Sequence, residues 1–173
     1  MVLRIIFILF ISGTFLYSDK PISERLLPFE PFLGNRYQGK YSNPQDGRLM
    51  DEVQHWERTL NGNAIKMTHT INNGEYGGIT IFMFDPEFET LRSWYFDTAG
   101  SVKIANINYF NEKIIITEDV TKNRNGITKV KTTLEILDNL MLLKKTKYLM
   151  KNLWVDGNEV LYRQTKEFWP FFK

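Results

Sequence analysis

The sequence contains no cysteine and only two histidines among its 173 residues. Without cysteine there is no disulfide bond, no thiol nucleophile and no lipid anchor attached through a cysteine side chain. No spacing of the remaining ligand types is typical of a metal site, so neither a metal nor a cofactor is predicted. The 22 basic residues nearly balance the 20 acidic ones. Because a strong positive field is missing, we expect no nucleic-acid partner.

Sequence motifs of common enzymes are also missing. The chain has no Gly-x-Ser-x-Gly motif and no phosphate-binding loop, so no catalysis is expected. No Asn-x-Ser/Thr acceptor site occurs, although asparagine is common. This absence favours a bacterial envelope over a eukaryotic secretory route.

The first 18 residues have the order of a secretory signal peptide. Arg4 gives a positive start, residues 5–16 are largely apolar, and a charged pair follows residue 18. The apolar stretch is shorter than the roughly 20 residues that span a bilayer. We therefore predict a cleaved signal peptide over residues 1–18, with an uncleaved anchor as the alternative. The mature domain, residues 19–173, would be secreted or periplasmic and would keep no stable membrane span.

The rest of the chain alternates long strands with tight turns. Apolar residues follow a period of two, so that Ile65, Met67 and His69 share one face of a strand. Turns such as Asn73-Gly74 supply residues that tolerate positive φ. The connections are too short for crossover helices, which predicts antiparallel neighbours. Ten strands are predicted, over residues 36–42, 49–60, 64–72, 79–84, 90–97, 102–110, 113–120, 127–137, 140–150 and 159–168.

These elements predict an all-β fold, a single antiparallel up-and-down β-barrel of about ten strands. Closure removes the two open edges that one layer would leave, and a two-sheet sandwich is the alternative. Before the strands, Ser23 is predicted to cap a short N-terminal helical piece that Pro28 and Pro31 end. We expect this piece to plug one end of the barrel.

Two features near the C-terminus receive conventional interpretations. Residues 156–158 read Asp-Gly-Asn and are predicted to form the turn before the last strand. Lys144, Lys145 and Lys147 alternate along one strand and are predicted to be solvated surface charges.

Three segments resemble lipocalin-like (calycin) barrels. Residues 32–39 are similar to the Gly-x-Trp opening of these barrels, with Tyr37 where tryptophan usually stands. Residues 84–100 resemble secreted bacterial lipocalin-like proteins, and residues 161–164 look like the closing strand of such barrels. The resemblance implies a barrel that binds a ligand. It also implies that a basic residue, Arg163, lies across the aromatic ring of the first strand.

Aromatic side chains give the main indication of function, since they make up 14% of the sequence. A barrel of about eight to ten strands has space for one small ligand. We therefore expect an aromatic-lined cavity with a few polar anchors. The residues predicted to bind the ligand are Trp56, His69, Trp94, Tyr109 and Arg163.

The orientation of the second predicted strand is left open by the sequence. Either the even-numbered residues from Glu52 to Arg58 face the interior, or the odd-numbered ones from Asp51 to Glu57 do. If Trp56 is buried, charged neighbours are buried with it and require partners, because an unpaired buried charge is very costly.

Three functions are compatible with these features. The predicted one is a secreted or periplasmic barrel that binds a small apolar or amphipathic molecule without catalysis. The second is an envelope interaction module that binds a protein partner through the aromatic C-terminal tail, residues 168–173. The third is an isomerase or cyclase that uses His69 or Glu52 as an acid or base inside the cavity.

Overall fold

The computed structural model describes residues 20–43, 46–121 and 125–167. The predicted signal peptide, residues 1–18, and the aromatic tail, residues 168–173, lie outside the described residues.

Ten strands follow one another in chain order around a closed barrel, and each strand is antiparallel to its neighbours. The last strand pairs with the first through three residue pairs, from Tyr37–Gln164 to Gly39–Tyr162, so the sheet closes on itself. The predicted all-β, up-and-down barrel is confirmed. The strands are β1 (Arg36–Ser42), β2 (Leu49–Thr59), β3 (Ala64–Ile71), β4 (Tyr76–Asp85), β5 (Thr90–Asp97), β6 (Val102–Phe110), β7 (Lys113–Asp119), β8 (Ile127–Ile136), β9 (Leu142–Met150) and β10 (Leu153–Gln164).

The turn predicted at residues 156–158 is wrong. The turn before β10 lies at Lys151 and Asn152, whose φ angles of 49° and 64° are those of a tight hairpin. The Asp-Gly-Asn sequence lies inside β10, where the pairing with β9 shifts register between Asp156 and Glu159. Glycine marks strand irregularities as well as turns, so the same residues are compatible with both structures.

The plug helix, a 3₁₀ helix over Glu24–Phe32, is longer than predicted and continues through Pro28 and Pro31. Proline fixes φ near about −65°, which a 3₁₀ helix accepts. Ser23 occupies the N-cap position, but its side chain makes no capping hydrogen bond. The helix covers one end of the barrel, as predicted. Its buried residues are Leu26, Phe29 and Phe32.

Four aromatic rings join the plug helix to the barrel wall. The ring centroids of Trp56 and Phe82 are 5.3 Å apart. Phe29 lies 4.9 Å from Phe82, and Phe32 lies 4.8 Å from Trp56. All four side chains are at most 3% exposed. Burial of one such side chain stabilises the fold by about 2–3 kcal/mol, so this end of the barrel holds a closed apolar layer.

The second strand presents its even-numbered residues to the interior. Glu52, Gln54 and Trp56 are at most 3% exposed and line one cavity, which settles the orientation that the sequence leaves open. Trp56 lies toward the C-terminal end of β2, beside the plug helix. The opposite end of the barrel, where β2 begins and β5 ends, is called the mouth below.

Candidate functional site

An internal cavity of about 330 Å³ lies inside the barrel above the plug helix. Trp56, Phe82 and Leu134 form its apolar floor. We take this cavity as the candidate site because buried polar side chains converge there. The polar residues of its lining are Glu52, Gln54, His69, Thr80, Ser93, Tyr95, Lys103, Glu118, Thr132, Lys144 and Thr146. The lining is therefore amphipathic, whereas the sequence analysis predicts a mainly aromatic lining with a few polar anchors.

Glu52 is the centre of a buried polar cluster and is 3% exposed. Its Oε1 accepts a hydrogen bond from Gln54 Nε2 at 3.0 Å and lies 3.2 Å from His69 Nδ1. Its Oε2 accepts one hydrogen bond from the Tyr162 hydroxyl at 2.6 Å and another from Lys144 Nζ at 3.1 Å. Both carboxylate oxygens thus have two polar neighbours each, which compensates the cost of burying the charge.

The surroundings of Glu52 hold its pKa well below the usual range. Burial by itself raises the pKa, but the positive charge of Lys144 and the contacts with His69 and Tyr162 outweigh that effect. Burial and the negative charge of Glu52 raise the pKa of the Tyr162 hydroxyl. Glu52 is therefore a carboxylate, and Tyr162 a neutral donor, throughout the physiological range.

Gly39 makes the contact between Tyr162 and Glu52 possible. On β1, Gly39 is directly opposite Glu52 of β2 on one side and Tyr162 of β10 on the other. A Cβ atom at Gly39 would lie 2.6 Å from Cδ1 of Tyr162. The missing side chain leaves room for the Tyr162 ring to lie across β1 and reach a strand with which β10 does not pair.

His69 connects the Glu52 cluster to the mouth through two tyrosines. Its Nε2 lies 3.0 Å from the Tyr95 hydroxyl, which lies 3.1 Å from the Tyr76 hydroxyl. The Tyr76 hydroxyl donates to Oδ2 of Asp97 at 2.9 Å. Hydrogen bonds from Ser101 hold the pKa of Asp97 low, at about 2, so Asp97 is an acceptor. Each hydroxyl has one proton, and Tyr76 gives its proton to Asp97, so Tyr76 can only accept from Tyr95.

Gly78 has the same role on this side of the barrel as Gly39 on the other. Gly78 of β4 is directly opposite His69 of β3 and Asp97 of β5. A Cβ atom at Gly78 would collide with the ring of Tyr95. The glycine thus leaves space for Tyr95 to lie across β4 and contact His69. Tyr162 therefore crosses β1 at Gly39 to contact Glu52, and Tyr95 crosses β4 at Gly78 to contact His69.

Part of the cavity wall is polar and lacks protein partners. Among the described residues, the side chains of Ser93, Thr132 and Glu118 make no hydrogen bond or ion pair. Ser93 is 4% exposed. Burial raises the pKa of Glu118, and the nearby charge of Lys103 partly opposes this shift. This wall differs from the Glu52 side, where the polar atoms are already satisfied.

The structure brings together two of the five predicted binding residues. Trp56 and His69 line the cavity. Trp94 lies on the outer face, where its ring is 5.7 Å from the Arg92 guanidinium, and Tyr109 is 50% exposed. Arg163 is exposed. The binding roles themselves stay predictions.

The resemblance implies that Arg163 lies across the ring of Tyr37, and this expectation is wrong. Arg163 is directly opposite Gln38, whereas Tyr37 is opposite Gln164. Residues that are directly opposite share a face, and successive residues alternate. Tyr37 is fully buried, so Arg163 lies on the other face of the sheet.

Lys144 is the main residue that the sequence analysis placed wrongly. It was predicted as a solvated surface charge, but its Nζ binds Glu52 inside the barrel. Lys145 and Lys147 do lie on the surface and pair with Glu159 and Asp156. The signal was present, because Lys144 follows the buried Leu142 at a spacing of two and therefore shares its face.

Comparisons with known proteins identify no family for this chain. A scan against protein-family models and a search of curated proteins found no match. In the part of the chain that the structure describes, no group of three or more metal-ligating side chains is arranged to hold an ion. No helix among those residues is long and apolar enough to cross a membrane.

Proposed function

We propose that the protein is a binding barrel for one small amphipathic molecule. The observation that carries this proposal is the cavity of about 330 Å³, which has an apolar floor and, on part of its wall, polar groups without protein partners among the described residues. A filled interior would have left no space for a ligand. The volume is near the lower limit of roughly 300–1,000 Å³ for small-molecule sites, which favours a single compact ligand.

The layered lining suggests how such a ligand would be oriented. Its apolar part would replace water over Trp56, Phe82 and Leu134, and each Å² of apolar area buried there contributes about 25 cal/mol. Its polar end would face Ser93 and Glu118, which have no protein partner among the described residues. The Glu52 cluster would shape the opposite wall without offering a free acceptor.

The closed ten-stranded barrel is compatible with a lipocalin-like fold. We propose that the chain is a lipocalin-like protein, secreted or periplasmic after removal of residues 1–18. A protein partner that binds residues 168–173 is a secondary proposal, which rests on the aromatic composition of that segment. Truncation of the tail would test it separately from the cavity.

An isomerase or cyclase is the second candidate, because His69 and Glu52 both face the cavity as that hypothesis requires. Their contacts favour binding over catalysis. The pKa of Glu52 is held low, so this carboxylate is a weak base. Its four polar neighbours also occupy the positions that a substrate proton would need.

Two measurements test the binding function. Native mass spectrometry of protein purified without denaturation should detect a co-purified small molecule. Calorimetric titration with decanol should show binding that Ala105→Leu weakens, because Ala105 lines the cavity. Asn106→Leu is the matched control, since Asn106 is the next residue on β6 and is exposed. A clean apo mass together with no decanol binding would contradict the proposal.

A further inference from the structure

Glu118 is the one charged group of the cavity lining that neither pairs with a described residue nor lies open to solvent. It is partly buried on β7, and its side chain makes no hydrogen bond or ion pair with any described residue. A partly desolvated carboxylate without a protein partner is stabilised by a group that supplies a donor or a positive charge. The structure therefore contains an acceptor that the protein itself does not satisfy.

The surroundings of Glu118 form a small niche in the cavity wall. Ala105 of β6 is directly opposite Glu118 on one side and Ser93 of β5 on the other. All three residues line the cavity. Ala105 puts only a methyl group between Ser93 and Glu118, which leaves a gap in this row of the wall. A group with several N–H donors would fill this gap and bond to both.

The other charges of the lining favour a positive ligand group at this niche. Lys144 is already neutralised by Glu52, with 3.1 Å between Nζ and Oε2. Lys103 is exposed, so water screens its charge. At the mouth, Asp97 adds a negative charge. The uncompensated charge that lies deepest in the cavity is therefore negative.

We propose that the ligand is an amphipathic amine, whose ammonium group binds the Glu118 carboxylate and the Ser93 hydroxyl above Ala105. Its apolar part lies over Trp56 and Phe82 on the floor of the cavity. This inference rests on the proposed binding function and makes it specific. An ammonium group is compact and has several donors, so it can bond to both oxygens of the niche.

Three probes with the same alkyl chain isolate the head group: decylamine, decanol and decanoic acid. Calorimetric titration at neutral pH is run on the wild type, on Glu118→Gln and on Asp119→Asn. Asp119 is the matched control, because it is the next residue on β7, loses the same charge, and pairs with Lys129 on the surface. Decylamine should bind the wild type and Asp119→Asn about tenfold or more tightly than decanol, as a charge-assisted hydrogen bond provides.

In Glu118→Gln, the preference for decylamine over decanol should disappear while decanol affinity is retained, which also shows that the variant is folded. Equal binding of decylamine and decanol to the wild type overturns the amine assignment and leaves the binding barrel in place. Tightest binding of decanoic acid overturns it in the same way. A preference for decylamine that survives in Glu118→Gln removes Glu118 as its cause. If none of the three probes binds, the binding function fails as well.

Discussion

Replacing Gly39 by alanine should destabilise the protein, although this change usually stabilises a strand. Gly39 does not have a positive φ, so a gain of about 0.5–1 kcal/mol is the ordinary expectation. In this barrel the added Cβ would lie 2.6 Å from Cδ1 of Tyr162. The Tyr162 ring is fully buried, so it cannot move aside into solvent. The sign of the effect therefore tests the packing directly.

The magnitude follows from two losses. If the Tyr162 ring shifts, its 2.6 Å hydrogen bond to Glu52 is lost. A hydrogen bond to a charged group contributes about 1.5–3 kcal/mol, and overpacking a filled site costs about 1–3 kcal/mol. After the gain from the backbone is subtracted, the free energy of unfolding should fall by about 2–5 kcal/mol.

Urea denaturation of four proteins measures the effect: wild type, Gly39→Ala, Tyr162→Phe and the double variant. In the Tyr162→Phe background the hydrogen bond to Glu52 is already absent. There, Gly39→Ala should cost only the overpacking part less the gain from the backbone, about 0–2.5 kcal/mol. A Gly39→Ala protein as stable as the wild type would refute the close approach of Tyr162. Equal costs in both backgrounds would refute the coupling through Glu52.

Three further predictions concern the charged residues. Lys144→Met should lower the free energy of unfolding by about 2–4 kcal/mol, because it leaves the buried Glu52 carboxylate without its cation. Lys145→Met on the outer face is the control and should change the free energy of unfolding by less than about 1 kcal/mol. Urea denaturation measures both variants. The folded pKa of Glu52 is depressed, so its contribution is complete above its unfolded value of about 4.3 and is lost as pH falls below it. The stability difference between wild type and Glu52→Gln should therefore be constant from pH 8 to about 5 and shrink by pH 3. Glu118→Gln should stabilise the ligand-free protein at neutral pH, since burial raises the pKa of this carboxyl, and a lower melting temperature would contradict this.

Much of the fold could be predicted because its signals are local. The period of two in β3 and turn residues such as Asn73 and Gly74 predict antiparallel hairpins, and a run of ten such strands favours closure. The errors arose where one residue type serves two structures. Gly157 lies in a strand irregularity rather than a turn, and Pro28 continues a 3₁₀ helix that it would have ended in an α-helix.

Less of the site could be predicted, because its contacts join strands that are far apart in the sequence. The sequence identified His69 and Trp56 as candidates that face the interior. It left two orientations open for the second strand, and one of them places Glu52 correctly inside the barrel. It gave no indication that Tyr162 would reach Glu52, since that contact depends on the register of β1 with two neighbours and on a glycine between them. Lys144 was misplaced because clustered lysines are usually solvated.

The closing seam of the barrel is short, and this affects how the molecule opens. β1 and β10 are joined by three residue pairs, whereas β1 and β2 share seven. Tyr162 and Lys144, from β10 and β9, both bind Glu52 on β2 and so brace the wall from inside across β1. Transient separation of the strands should therefore start between β1 and β10, and the contacts of the Glu52 carboxylate should limit it. Hydrogen exchange at the β1 amides that face β10 would accelerate in Glu52→Gln, while exchange in the β3–β4 hairpin would not change.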